Sequence, residues 1–137
     1  MLKKILLICI ALTLPSLCRA DGVFGSRGMN SLFLDPPRML SPIYETATIT
    51  DNQPLEFKWM IEYQNNTRGY ILCLYKGYNT DETSLILKEE IPQGIYSFQA
   101  KADIFQDGQT YTWTLRRIAI SGQKTDSSSN SFRVIKN

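Results

Sequence analysis

Phe105-Gln106-Asp107-Gly108-Gln109-Thr110-Tyr111-Thr112-Trp113-Thr114-Leu115 is the stretch that decides the fold. Asp107-Gly108 is turn chemistry, because Asp bonds its own backbone and Gly accepts a positive φ. From Thr110 onward, threonines alternate with Tyr111, Trp113 and Leu115. Side chains on a strand point to opposite faces in turn. The spacing therefore predicts a turn feeding a strand, with three large apolar groups on a core face and three hydroxyls on the other face. The strand is expected to run on to Ile120, where Ser121-Gly122-Gln123-Lys124-Thr125-Asp126 makes the next turn.

The same grammar extends outward in both directions. Leu55, Phe57, Trp59 and Ile61 alternate with Glu56, Lys58, Met60 and Glu62, a period-two strand with one core face. Residues 70–78 read as a strand that is apolar on both faces, with Tyr70, Leu72 and Leu74 on one and Ile71, Cys73 and Tyr75 on the other. Residues 84–90 and 95–102 give two shorter strands of unfixed register, separated by Ile91-Pro92-Gln93-Gly94. Phe132 and Val134 mark a last strand. Residues 39–43 and 47–50 read as two halves of a first strand broken at Ser41-Pro42, since Pro within a strand implies an edge or a break. No segment of helical length carries a 3.6-residue apolar period. Short strands between turn signals make an all-β sandwich of about seven antiparallel strands.

The first twenty residues are a separate matter. Lys3 and Lys4 precede an apolar run from Ile5 to Leu14, and Cys18-Arg19-Ala20 follows. This is the pattern of a secretory signal peptide with cleavage expected after Ala20. The run falls short of the roughly twenty apolar residues of a membrane-spanning helix. Lipidation of Cys18 is the minority alternative, with Leu17 larger than such signals favour. Three of the 15 basic residues (Lys3, Lys4, Arg19) lie in this segment. Residues 21–137 thus hold 12 basic against 13 acidic residues, a net charge of −1. No basic stripe remains to suggest nucleic acid or an anionic membrane. Cys9 and Cys18 leave with the signal, so Cys73 stands alone and an intramolecular disulfide is excluded. The domains expected are the signal peptide at 1–20, an extended Gly- and Pro-containing lead at 21–39, and the sandwich at 40–137.

Residues 41–137 resemble a fibronectin type III domain. In that family a large apolar residue, a Gly three later and a Tyr three after that form the turn into strand F. Phe105, Gly108 and Tyr111 match that spacing, and Gly122 falls at the F–G turn. Trp59 sits where the family places a core tryptophan on strand B, Tyr70-x-Leu72-x-Leu74 fits strand C, and Phe132-x-Val134 fits strand G. The chain departs from the family at Phe105, which replaces the usual Leu, at Arg117, where a small inward residue is common, and across 79–102. The resemblance implies that Trp59, Tyr70, Phe105, Gly108, Tyr111, Trp113 and Phe132 are structural, and that the module is adhesive or scaffolding.

Catalytic chemistry is thin. The chain has no histidine, which removes Ser-His-Asp and Cys-His nucleophile systems and the commonest metal ligand. Glu89 and Glu90 are adjacent on a strand and point to opposite faces, so they do not make a glycosidase pair. Asp103 and Asp107 flank the turn into the strand, where turn chemistry is preferred to the six or more oxygens a calcium site needs. Asn65-Asn66-Thr67 is a glycosylation sequon by spacing, read as a chance triplet. The expectation is a non-enzymatic module without cofactor or metal that recognises a protein or an envelope polymer through loops or a sheet edge. The alternatives are a structural subunit of a surface assembly using residues 21–37 as a docking arm and, last, a carboxylate-based hydrolase. Its candidate contact residues are Phe24, Phe33, Ile71, Tyr75, Tyr78 and Arg116. The apolar outer face of the 70–78 strand is to be covered either by the lead or by a partner.

Overall fold

The computed structural model describes residues 34–50 and 52–137. The expected signal peptide, the first part of the lead segment, and Phe24 and Phe33 lie outside the described residues. Eight strands follow one another: β1 (Arg38–Ser41), β2 (Thr46–Ile49), β3 (Leu55–Met60), β4 (Thr67–Lys76), β5 (Leu85–Pro92), β6 (Ser97–Ala100), β7 (Thr110–Ala119) and β8 (Ser128–Lys136). A 3-10 turn at Ala102–Ile104 precedes β7. One sheet has the order β1-β3-β6 and the other β2-β8-β7-β4-β5.

The all-β sandwich is as the alternation requires, with one refinement and one correction. Among the described residues the about seven expected strands come out as eight, because the two halves of the first strand join different sheets: β1 pairs with β3 and β2 with β8. The arrangement is not wholly antiparallel, since β2 runs parallel to β8. The switch occurs at the Ser41-Pro42 break, where the Pro42 carbonyl accepts the Trp113 indole N–H at 3.0 Å. β1 begins one residue earlier than expected, at Arg38.

The core fills the space between the sheets. Phe57 and Trp59 from β3 meet Tyr70, Leu72 and Leu74 from β4, Tyr111, Trp113 and Leu115 from β7, and Phe132 and Val134 from β8, all buried. Their rings meet edge to face, Phe57 on Trp113 at 5.0 Å, Trp59 on Tyr70 at 5.5 Å and Phe105 on Tyr111 at 5.1 Å. The negative ring face and positive edge favour this arrangement.

The turn into β7 is held at three points. The Tyr111 hydroxyl accepts the Gln106 backbone N–H at 2.8 Å. Gly108, at φ +73°, donates its N–H to the Val134 carbonyl at 2.8 Å. Asp107 accepts the Lys136 N–H through Oδ1 at 2.9 Å, so its carboxylate serves the turn.

Candidate binding groove on the outer face of the large sheet

Beyond the core, β4 presents Ile71, Cys73 and Tyr75 to the opposite side of the sheet, all three half-buried. Both neighbouring strands add to them. On β7, Arg116 lies across from Ile71 and Thr114 across from Cys73, while on β5 Lys88 lies across from Cys73. An irregularity in pairing between Leu74 and Tyr75 sets Tyr75 opposite Leu85.

The segment between β7 and β8 supplies the remaining wall. The Ala119 N–H donates to the Gln123 carbonyl at 2.8 Å, the Thr125 N–H to the Arg117 carbonyl at 3.0 Å, and the Arg117 N–H to Thr125 Oγ1 at 3.1 Å. The segment thereby folds back along the end of β7, with Lys124 bridged to Ile118. Lys124 and Ser127 then line a shallow groove of about 230 Å³ together with Ile71, Cys73, Tyr75, Thr80, Lys88, Thr114 and Arg116.

Among the described residues the lining holds three cations and no carboxylate. Glu90, opposite Ile71 on β5, is engaged by Arg68 at 3.4 Å. Burial raises the Tyr75 phenol above its ordinary pKa, the neighbouring Cys73 adds to this, and Thr114 and Arg116 oppose it. Tyr75 is therefore a neutral hydroxyl at physiological pH. The groove can attract an anion, offer hydroxyls to a polar ligand and present part of an aromatic ring.

A second cavity of about 160 Å³ lies at one end of the sandwich, lined by Asp35, Pro36, Arg38, Met60, Ile61, Glu62, Tyr63 and Arg117. Asp35 and Glu62 offset its two arginines, so it has no net charge to select a ligand by sign.

Of the contact residues expected from sequence, Ile71, Tyr75 and Arg116 come together in the groove. Tyr78, 75 % exposed, stands apart beside Glu45, Thr46, Thr110, Ser131 and Arg133. The groove adds Lys88, Lys124, Thr80 and Ser127, none of them singled out in the sequence. Lys88 had a signal, its alternation with Leu87, but the strand's register was open. Lys124 had none, because only the fold-back of its turn brings it to the sheet. Of the seven residues read as structural, all but Gly108 are buried. Asp103 is exposed on the 3-10 turn, and among the described residues no three Cys, Asp or Glu side chains gather in a way that would hold a metal ion.

No family model matches the chain, and no curated protein matches it. Solved structures do. A computationally redesigned β-sandwich protein superposes with a TM-score of 0.54 at 12 % identity, over 76 % of this chain and 93 % of its own. The fibronectin(III)-like modules of Clostridium thermocellum CbhA give 0.50 at 10 % identity, over 73 % and 96 %. The fold is that of a fibronectin III-like β-sandwich. An α-L-rhamnosidase from Dictyoglumus thermophilum contains a similar region, with a TM-score of 0.57 at 12 % identity over 75 % of this chain but only 13 % of the enzyme. The fold thus also occurs as a part of larger enzymes, and identities this low speak to architecture alone. Among the described residues no helix is long and apolar enough to cross a membrane.

Proposed function

We propose that this protein is an exported, non-enzymatic binding module whose recognition surface is the outer face of the large sheet around Tyr75 and Arg116. Export rests on residues 1–20, whose charged start, apolar run and small residue before the expected cut direct the chain to the periplasm, the cell surface or the medium. The single observation that carries the binding reading is the groove itself. Half-buried apolar groups on β4 are ringed by Lys88, Arg116 and Lys124, with no acidic residue in the lining. Among the described residues nothing packs on this face, and an uncovered sheet face is normally plain polar surface.

The strand edges favour the face over strand addition. β5, the long edge strand, carries Lys88-Glu89-Glu90 at its middle and Pro92 at its end, devices that block pairing with another chain. The other edge strands, β1, β2 and β6, have four residues each. The missing histidine and the placement of Glu89 and Glu90 on opposite faces of β5 support a role without catalysis.

The partner is a protein or an envelope polymer. A photo-crosslinking residue at Tyr75 in the native envelope is expected to give a discrete adduct, while the same residue at Met60, exposed on β3 of the smaller sheet, gives none. Equal labelling at the two positions would overturn the reading.

A second reading makes the protein a structural subunit of a surface assembly, with residues 21–37 as a docking arm. It is favoured by one contact: Ser128 Oγ donates to the Pro37 carbonyl at 2.6 Å and anchors the base of that segment. Removal of residues 21–33 that abolishes assembly and leaves the melting temperature unchanged would select it.

A further inference from the structure

We propose that the groove takes an acidic polysaccharide, one uronate-bearing sugar unit at a time. This rests on the reading of that face as the binding surface and specifies its ligand. Three features of the lining carry it.

The first is charge. Residues 21–137 carry a slight net negative charge, yet Lys88, Arg116 and Lys124 converge on one groove without a carboxylate. The two ion pairs among the described residues, Lys58 with Glu56 and Arg68 with Glu90, use none of these three cations. A concavity lined by one sign of charge concentrates ligands of the opposite sign.

The second is the kind of polar group available. The groove lies in mid-sheet, where β4 is paired on both sides, with β5 and with β7. No strand edge is open on β4 for an extended peptide to pair with, so recognition falls to side chains. Those present are the hydroxyls of Thr80, Thr114, Ser127 and Tyr75 beside the three cations. Sugar hydroxyls and carboxylates match that set, since side-chain hydroxyls and cations can satisfy both without any backbone pairing. The partly buried Tyr75 ring supplies an apolar surface for a sugar face.

The third is size. A volume of about 230 Å³ falls below the roughly 300–1,000 Å³ of sites that enclose a whole small ligand. An open groove of this size suits one unit of a chain that continues along the sheet in both directions.

The test is affinity electrophoresis of the processed chain through gels holding polygalacturonate, neutral dextran or poly-glutamate at matched concentration. Retardation by polygalacturonate alone is expected, and it should weaken with added salt as screening grows. Arg116→Ala should weaken it about tenfold, as loss of a charge-assisted hydrogen bond does, and the Lys88→Gln/Arg116→Gln/Lys124→Gln variant should abolish it with an unchanged melting temperature. Tyr75→Ser should weaken retardation without changing its salt dependence. Equal retardation by poly-glutamate, or retention by the triple variant, overturns the proposal. A discrete adduct at Tyr75 in the envelope without polygalacturonate binding also overturns it, and leaves the binding-module reading standing. Loss of both removes the two together.

Discussion

Arg117 donates its guanidinium Nε to Thr67 Oγ1 at 2.6 Å, and the two residues are almost fully buried, at 3 % and 1 % exposure. The same guanidinium donates to the Asn65 carbonyl at 2.8 Å and to the Tyr63 carbonyl. A residue on β7 therefore holds the loop between β3 and β4, and among the described residues it does so with no carboxylate partner. Its position follows from parity: Arg117 shares the inward face with Leu115, at the end of the core where the backbone carbonyls of a loop replace apolar neighbours.

Arg117→Met is expected to release that loop. The apolar stem is kept, so the loss reports mainly the hydrogen bonds and the carbonyls left without donors, about 2–3 kcal/mol. Chemical denaturation would measure it. Amide exchange should rise first in residues 62–66, and a variant of unchanged stability would show that water replaces the guanidinium.

Tyr111→Phe tests the corner. Among the described residues the hydroxyl has one partner, the Gln106 N–H at 2.8 Å, and the ring's contacts with Phe105 and Phe132 remain. A loss of about 1 kcal/mol is expected, with groove binding unaffected because Tyr111 faces the core. Impaired binding at unchanged stability would give this stretch a role beyond the fold.

Much of this architecture was legible because burial writes itself into period two. Tyr111, Trp113 and Leu115 face the core as their alternation requires, and Phe57 and Trp59 oppose them for the same reason. The corner was legible through Gly108 and Tyr111, whose spacing is local. The extra strand was not, because the exchange of sheets at Pro42 depends on a bond from Trp113, 71 residues away. The candidate site was half legible. Ile71 and Tyr75 stood out as apolar groups on a face that should be polar. Lys88 and Lys124 reach that face only through the pairing of β5 and the return of the β7–β8 turn, which are long-range facts that no local pattern encodes.

Two glycines should fail for different reasons when replaced by alanine. At Gly69 an added Cβ would stand 2.4 Å from the Ile91 carbonyl oxygen. The clash is with backbone, so β4 and β5 must separate, and Gly69→Ala should cost about 1–3 kcal/mol through overpacking. At Gly108 the space is open, with the nearest atom on Arg133 at 3.5 Å, but φ is +73°. Gly108→Ala should cost about 1–2 kcal/mol from backbone conformation alone. Gly108→Asn should recover part of that, because Asn tolerates the left-handed region, whereas Gly69→Asn should be worse than Gly69→Ala. Denaturation midpoints of the four variants check the contrast.

Tyr70 gives the fold a limit at high pH. The residue is fully buried beneath Trp59, and its hydroxyl has no hydrogen-bond partner among the described residues. Burial, reinforced by the neighbouring Tyr96 and opposed by the Arg117 guanidinium, pushes the phenol up from 10.0 to about 12. Because the folded value lies above the unfolded one, the native state holds its proton where the unfolded state has released it. The contribution is complete below pH 10 and is lost as pH rises from 10 to about 12. The loss amounts to no more than roughly 2–3 kcal/mol over that interval. Tyr70→Phe removes the titrating group while keeping the ring against Trp59. The variant should therefore show a flatter decline of stability between those limits than the parent chain, measured by urea denaturation at a series of pH values. Parallel declines would mean that other groups set the alkaline limit.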